Sequence, residues 1–213
     1  MKVRMAKIED FDKIAELEKS RIDSSIAYDK KTLLAYYNHN SNMFYVVVND
    51  MDIVEGFAII SPIKESAANK FELGTAIDLA DIDIDEILTK EEHNHNRTNN
   101  QRVYSYLGDI VSDPKNQSIA ILTLMKKILI DNVDEISTIY ATPVSPEGKK
   151  TIELLGFSKV NPNDTDLHSN YKMNIFKLTN EIIEGKEIDR SFVGNYLKRK
   201  WGRWFKNEHW INT

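Results

Sequence analysis

The chain has 213 residues, a formal charge of −5 and no cysteine. This length suits one domain with an insertion or tail, or two small domains, and a core of that size needs no disulfide or structural metal. The missing cysteine excludes a disulfide framework, a thiol nucleophile and a cysteine-based zinc site, and fits a cytoplasmic protein. The acidic balance argues against non-specific binding to nucleic acid.

Lys2 to Ala6 reads as a short strand, and Ile8-Glu9-Asp10 as a helix start. Phe11, Ile14, Ala15, Leu17 and Glu18 then follow helical spacing. A second helix is predicted from Lys30 to Tyr37, broken by the polar cluster Asn38-His39-Asn40-Ser41-Asn42. Phe44 to Val48 and Ile53 to Ile60 are rich in β-branched and aromatic residues, and the turn between them predicts a hairpin. From Lys64 to Gln101 the composition shifts to an acidic insertion. Asp81, Asp83 and Asp85 alternate with Ile82 and Ile84, and Glu91 to Asn100 reads as a flexible polar loop. His93 and His95 within it have the spacing of a weak chelating pair, but a solvated loop is the simpler expectation.

Strand character resumes from Arg102 to Val111. Gln117 to Ile130 is the clearest helix, with an apolar stripe through Ala120, Ile121, Leu124, Met125, Ile128 and Leu129. A strand (Ile136 to Ala141), a helix (Pro146 to Leu155), a strand opened by Gly156-Phe157 and a last strand (Tyr171 to Leu178) complete the pattern. The order gives a mixed central sheet flanked by helices, in the α/β or α+β class. No apolar run is long enough to span a bilayer, and Met1 to Met5 lacks the apolar core of a signal peptide.

Leu107-Gly108-Asp109-Ile110-Val111-Ser112-Asp113-Pro114, followed by Lys115 to Leu122, resembles the fourth strand and phosphate loop of the GNAT N-acetyltransferase superfamily. Thr151-Ile152-Glu153-Leu154-Leu155-Gly156-Phe157 is similar to that family's Phe-Tyr-x-x-Leu-Gly-Phe signature, and Val3 to Asp10 has the shape of a family N-terminus. The resemblance covers roughly residues 1–62 and 102–178. It implies one acyltransferase domain over residues 1–178, carrying the 64–101 insertion, with residues 179–213 as a separate tail. It implies acetyl-CoA or another acyl-CoA as co-substrate, no metal, and direct attack by an amine on the thioester. The acceptor is a small-molecule or peptide amine.

By the same resemblance, Asp109 is the candidate catalytic base. Ile110 and Val111 would hold the pantetheine arm. The backbone amides of Gln117, Ser118, Ile119, Ala120, Ile121 and Leu122, at a positive helix start, would take the pyrophosphate. Two positions depart from the family. The loop has Ala120 and Leu122 where glycine or alanine is usual, and Ile152 stands where many relatives place a tyrosine that protonates the departing thiolate. The rival expectation is therefore an inactive GNAT-like binding module acting through its tail or its acidic insertion. The tail gathers Trp201, Trp204 and Trp210 among Lys198, Arg199, Lys200, Arg203 and Lys206. Such a segment is expected to pack on the domain's own sheet or on a second subunit; the alternatives are a partner protein, an anionic membrane surface, or single-stranded nucleic acid held by stacking, the last disfavoured by the overall acidity.

Overall fold

The computed structural model describes residues 1–132, 135–166 and 168–175, and the backbone alone at 116 and 118. The tail at 179–213 and the end of the strand expected from Tyr171 to Leu178 lie outside the described residues.

Seven strands form one sheet: β1 (Lys2–Met5), β2 (Phe44–Val48), β3 (Val54–Ile63), β4 (Val103–Ser112), β5 (Ile136–Ala141), β6 (Ser158–Lys159) and β7 (Tyr171–Asn174). Their order is β1-β2-β3-β4-β5-β7-β6. Only β4 and β5 run parallel; every other neighbour pair is antiparallel. The parallel pair needs a crossover, which α5 (Gln117–Asn132) supplies.

Strand alternation sorts the core into two layers. Helices α1 (Phe11–Arg21) and α2 (Lys30–His39) and the inserted α3 (Glu65–Leu73) cover one face. There Phe11, Ile14, Leu33 and Phe71 meet Phe44, Val46, Phe57 and Ile59. Helices α5 and α6 (Pro146–Leu155) cover the other, where Leu124, Met125, Ile128, Ile152 and Leu155 meet Val47, Ala58, Leu107 and Ile139. Phe71 stacks on Tyr106 at 4.6 Å between ring centres, so the insertion is welded to β4 through an aromatic contact.

The segment expected as a flexible polar loop is a helix, α4 (Lys90–Thr98). Thr89 and Glu92 form a capping box at its start, each side chain bonding the other residue's backbone N–H. His93 is buried rather than solvated, with Nε2 3.4 Å from Glu135 Oε2, while Arg97 Nε lies 2.8 Å from Glu135 Oε1. A single carboxylate at the foot of β5 thus gathers two helical side chains, and that anchor is invisible to a reading of local polarity. Among the described residues no helix is long and apolar enough to cross a membrane.

Candidate active site

The site is set by what happens at the ends of β4 and β5. Their pairing runs from Val103 and Ile136 to Leu107 and Ala141 and then stops. Strand β4 continues to Ser112, held on its other side by β3 through Ala58↔Ile110, Phe57↔Val111 and Gly56↔Ser112. The two parallel strands therefore part, and the edge of β4 from Gly108 onward faces a cleft of about 560 Å³. The start of α5 and the start of α6 form its opposite walls: Ser112, Gln117 and Ile121 on one side, Ser145, Gly148 and Ile152 on the other.

A β-bulge aims the chemistry. Ile60 faces Leu107 and Ala58 faces Ile110, so the single residue Ile59 stands opposite both Gly108 and Asp109. A Cβ on Gly108 would lie 3.6 Å from Ile59 and from Leu79, on the face covered by α1 and α3. Asp109 turns to that same face and meets Glu18 of α1. Regular alternation would have put two consecutive residues on opposite faces.

Glu18 is fully buried (0 % exposed), on the same apolar stripe of α1 as Ile14 and Leu17. Its Oε1 accepts the backbone N–H of Tyr28 at 3.0 Å. Its Oε2 and Asp109 Oδ2 are both buried with no donor. Two carboxylates can only accept, so the pair is satisfied when one of them carries a proton and donates to the other. Burial pushes the Asp109 carboxyl well above the usual carboxylate range, and the charges of Glu18 and Asp78 push it further in the same direction. Burial also raises Glu18, against the lowering effect of the Tyr28 N–H. Asp109 is therefore a stronger proton acceptor than a surface aspartate.

Asp78, from the insertion, borders the cleft beside Asp109. It accepts the hydroxyl of Tyr28 and the N–H of Ala80. Burial, followed by the Asp78 charge, holds the Tyr28 phenol far above its ordinary range, so it stays a neutral donor. Tyr36 packs edge-on against Tyr28 at 5.7 Å and closes the group from α2.

At the other end, Arg21 in the last turn of α1 borders the cleft and donates to Gln117 Oε1 at 3.2 Å. A cation thus stands at the start of α5 although the loop sequence itself offers only Lys115. Of the residues expected there, Ile110, Val111, Gln117 and Ile121 line the cleft. Ile119 is partly buried, and Ala120 and Leu122 sit in the core under the sheet. The backbone of Ser118 lies in the first turn of α5. Leu122 is 7 % exposed among Tyr45, Val47 and Ala58, so its side chain leaves the helix start open. Ile152 borders the cleft with its side chain in the core. Tyr140 is engaged elsewhere, donating to Glu72 Oε1 at 2.8 Å.

Glu18, Asp78, Tyr28 and Arg21 were not legible as site residues. Only Glu18 left a trace, as a carboxylate on an apolar helical stripe.

The overall fold is shared with solved structures. A GNAT-family acetyltransferase from Staphylococcus aureus matches over 82 % of this chain and 98 % of its own, with a TM-score of 0.53 and 12 % identity. The chain has the GNAT fold. The GNAT-like decarboxylase GphF, solved in complex with isobutyryl-CoA, is similar over 82 % of this chain and all of its own, with a TM-score of 0.55 and 11 % identity. N-acetylglutamate synthase from Neisseria gonorrhoeae, solved with coenzyme A and N-acetyl-glutamate, is similar over 82 % of this chain and 35 % of its own, with a TM-score of 0.54 and 12 % identity. No protein-family model matches the sequence, and no curated protein does.

Proposed function

We propose that this GNAT-fold chain is an acyl-CoA-dependent N-acyltransferase that moves an acetyl or related acyl group to an amine by direct attack. One observation carries the reading: a buried carboxyl of raised proton affinity, Asp109, stands at the bulge where β4 parts from β5. The isobutyryl-CoA complex and the coenzyme A complex among the similar structures add to it.

In this reading the pantetheine arm runs along the free edge of β4 at Ile110 and Val111, as an extra strand would. The pyrophosphate lies at the start of α5, against the amides of Gln117 to Leu122 and the Arg21 guanidinium. Asp109, with Glu18 behind it, takes one proton from the bound amine. The nitrogen lone pair then attacks the thioester carbonyl carbon; an N–C bond forms, the C–S bond breaks, and the electron pair leaves on sulfur. The proton taken by Asp109 ends on that sulfur, so that amine and thioester give amide and thiol. A thiol of pKa ~8.5 is a good enough leaving group to depart without a general acid, which accommodates Ile152. Holding amine and thioester together in a cleft supplies much of the remaining rate. Residues 1–178, insertion included, act as the catalytic unit.

Ile152 favours a second reading, an inactive GNAT-like binding module. Calorimetric titration with acetyl-CoA, with desulfo-CoA and ADP alongside, separates the two. Micromolar binding of acetyl-CoA and weaker binding of ADP support the enzyme. No heat at millimolar acetyl-CoA would sink it for the acetyl group, and longer acyl-CoAs would be titrated next.

A further inference from the structure

A second groove, of about 390 Å³, lies between the end of α3 and the loop that joins β6 to β7. Its floor is fixed, because the buried Asn170 amide bonds the carbonyls of Phe71 and Ala76. One wall is apolar and open. Helix α3 ends at Gly74 in a left-handed turn; Leu73 just before it is 78 % exposed, and Ile77 just after it is 44 % exposed. Val160 lines the groove from the loop side. Single exposed apolar side chains are ordinary, but two beside a ready-made groove mark a contact surface.

The rim is acidic. Asp164 and Asp166 accept the N–H groups of Asp166 and His168 and so hold the loop in shape. Among the described residues neither carboxylate forms an ion pair. Lys159 bonds the main-chain carbonyl of Asp164 instead. Glu72, the third acid of the groove, is already met by Lys172 and Tyr140.

The chain itself holds the complement of this surface. Residues 190–213 contain six Lys and Arg against one carboxylate, Glu208, in a chain of formal charge −5, which leaves −10 for the rest. The same segment contains all three tryptophans. It can also reach. Strand β7 starts beside Asn170 and carries the chain roughly 15 Å from the groove. The 14 residues from 176 to 189 can then span up to roughly 45 Å before the segment begins. A tether of that kind holds the segment at an effective concentration near ~1 mM. Anionic partners, by contrast, are repelled by this groove.

We propose that residues 190–213 dock in this groove on their own chain, with tryptophan against Leu73 and Ile77 and with Lys and Arg toward Asp164 and Asp166. Docking there needs no acyl transfer, and it braces the end of the insertion that Asn170 holds.

Tryptophan emission of the intact chain reads this segment and nothing else, since every tryptophan lies in it. Emission should be blue-shifted from that of free N-acetyltryptophanamide. Acrylamide quenching should be about threefold weaker than for that compound, and unchanged over a hundredfold dilution because the contact is intramolecular. Leu73→Ser should raise the quenching constant about twofold or more. Asp164→Asn with Asp166→Asn should do so too, by about twofold, and should remove most of the salt dependence. Leu73 is exposed, and the Asn amide oxygens still accept the loop N–H groups, so both variants should melt with the parent. Emission as exposed as free tryptophan overturns the proposal. So does protection that neither variant weakens, which puts the segment elsewhere on the domain. Protection lost on dilution assigns the groove's occupant to a second copy, and protection that arises only with anionic vesicles or an oligonucleotide assigns the segment to those partners; either overturns docking within the chain.

Discussion

Asn170, just before β7, is the clamp that holds the insertion, and with it Asp78, against the sheet. Its buried side-chain amide donates to Phe71 O at 2.9 Å and to Ala76 O at 2.8 Å, and its Oδ1 accepts the Thr142 hydroxyl at 2.7 Å. Asn170→Ala removes all three bonds. Phe71 O keeps the Gly74 N–H at 3.3 Å, so that loss is an ordinary hydrogen bond worth ~1 kcal/mol. Ala76 O is left buried without its side-chain donor, at a cost of roughly 1–3 kcal/mol. Thr142 is only partly buried and can turn to water. Together the substitution should cost roughly 2–4 kcal/mol, a fall in Tm of about 5–15 °C for a domain of this size. Circular dichroism melting at pH 7 measures it. Asn170→Asp should be at least as damaging, because a carboxylate cannot donate to either carbonyl. A Tm within 1 °C of the parent for Asn170→Ala would refute the clamp.

Glu18→Gln tests the carboxyl pair through stability. Groups whose folded pKa is raised stabilise fully below the unfolded value near ~4 and lose that contribution as pH rises through the folded value. The variant's Tm relative to the parent should therefore climb between pH 5 and pH 9, while Asp78, Tyr28 and Tyr36 stay in place in both proteins; a flat difference would show that the pair does not share a proton. Arg21→Ala should weaken acetyl-CoA and ADP alike, by roughly three- to tenfold and more at low salt, and calorimetry that shows equal affinities would remove Arg21 from the phosphate site. At Gly56 an added Cβ would meet Val111 O at 2.7 Å and Ser112 Cβ at 2.9 Å. Gly56→Ala should accordingly cost about 1–3 kcal/mol and loosen acetyl-CoA by displacing the end of β4, both read from melting and titration.

The elements with clean periodicity were legible in the sequence: α5 through its apolar stripe, α6 over Pro146 to Leu155, β2 and β3 through their β-branched runs. Their boundaries fall within a few residues of those expected. What escaped was structure fixed by partners distant in the chain. The run from Lys90 to Thr98 has almost no apolar residue and reads as solvent-loving, yet it is helical because Thr89 caps it and Glu135 receives His93 and Arg97. Leu122 shows the opposite case. As a letter in a loop pattern it argues against phosphate, whereas on the helix it belongs to the apolar stripe and points into the core.

The acid end of the cleft was hidden for a related reason. Asp109 can be found from local pattern, but its proton affinity is set by burial, then by Glu18, 91 positions earlier, and by Asp78 in an insertion that composition alone marks as a solvated face. The bulge opposite Ile59 inserts one residue into β4, so that Gly108 joins Asp109 on the side where α1 and the insertion meet. Deleting a residue at the bulge, such as Gly108, would restore the alternation but leave Asp109 facing the α1 side, and would move Leu107 and everything before it by one register step. A substitution is the sharper probe: Gly108→Val, with a β-branched side chain against Ile59 and Leu79, should crowd the bulge and reduce acetyl-CoA binding more than it reduces stability. If it lowers Tm by several degrees and leaves acetyl-CoA affinity intact, the bulge is a packing feature and the cleft is shaped by something else.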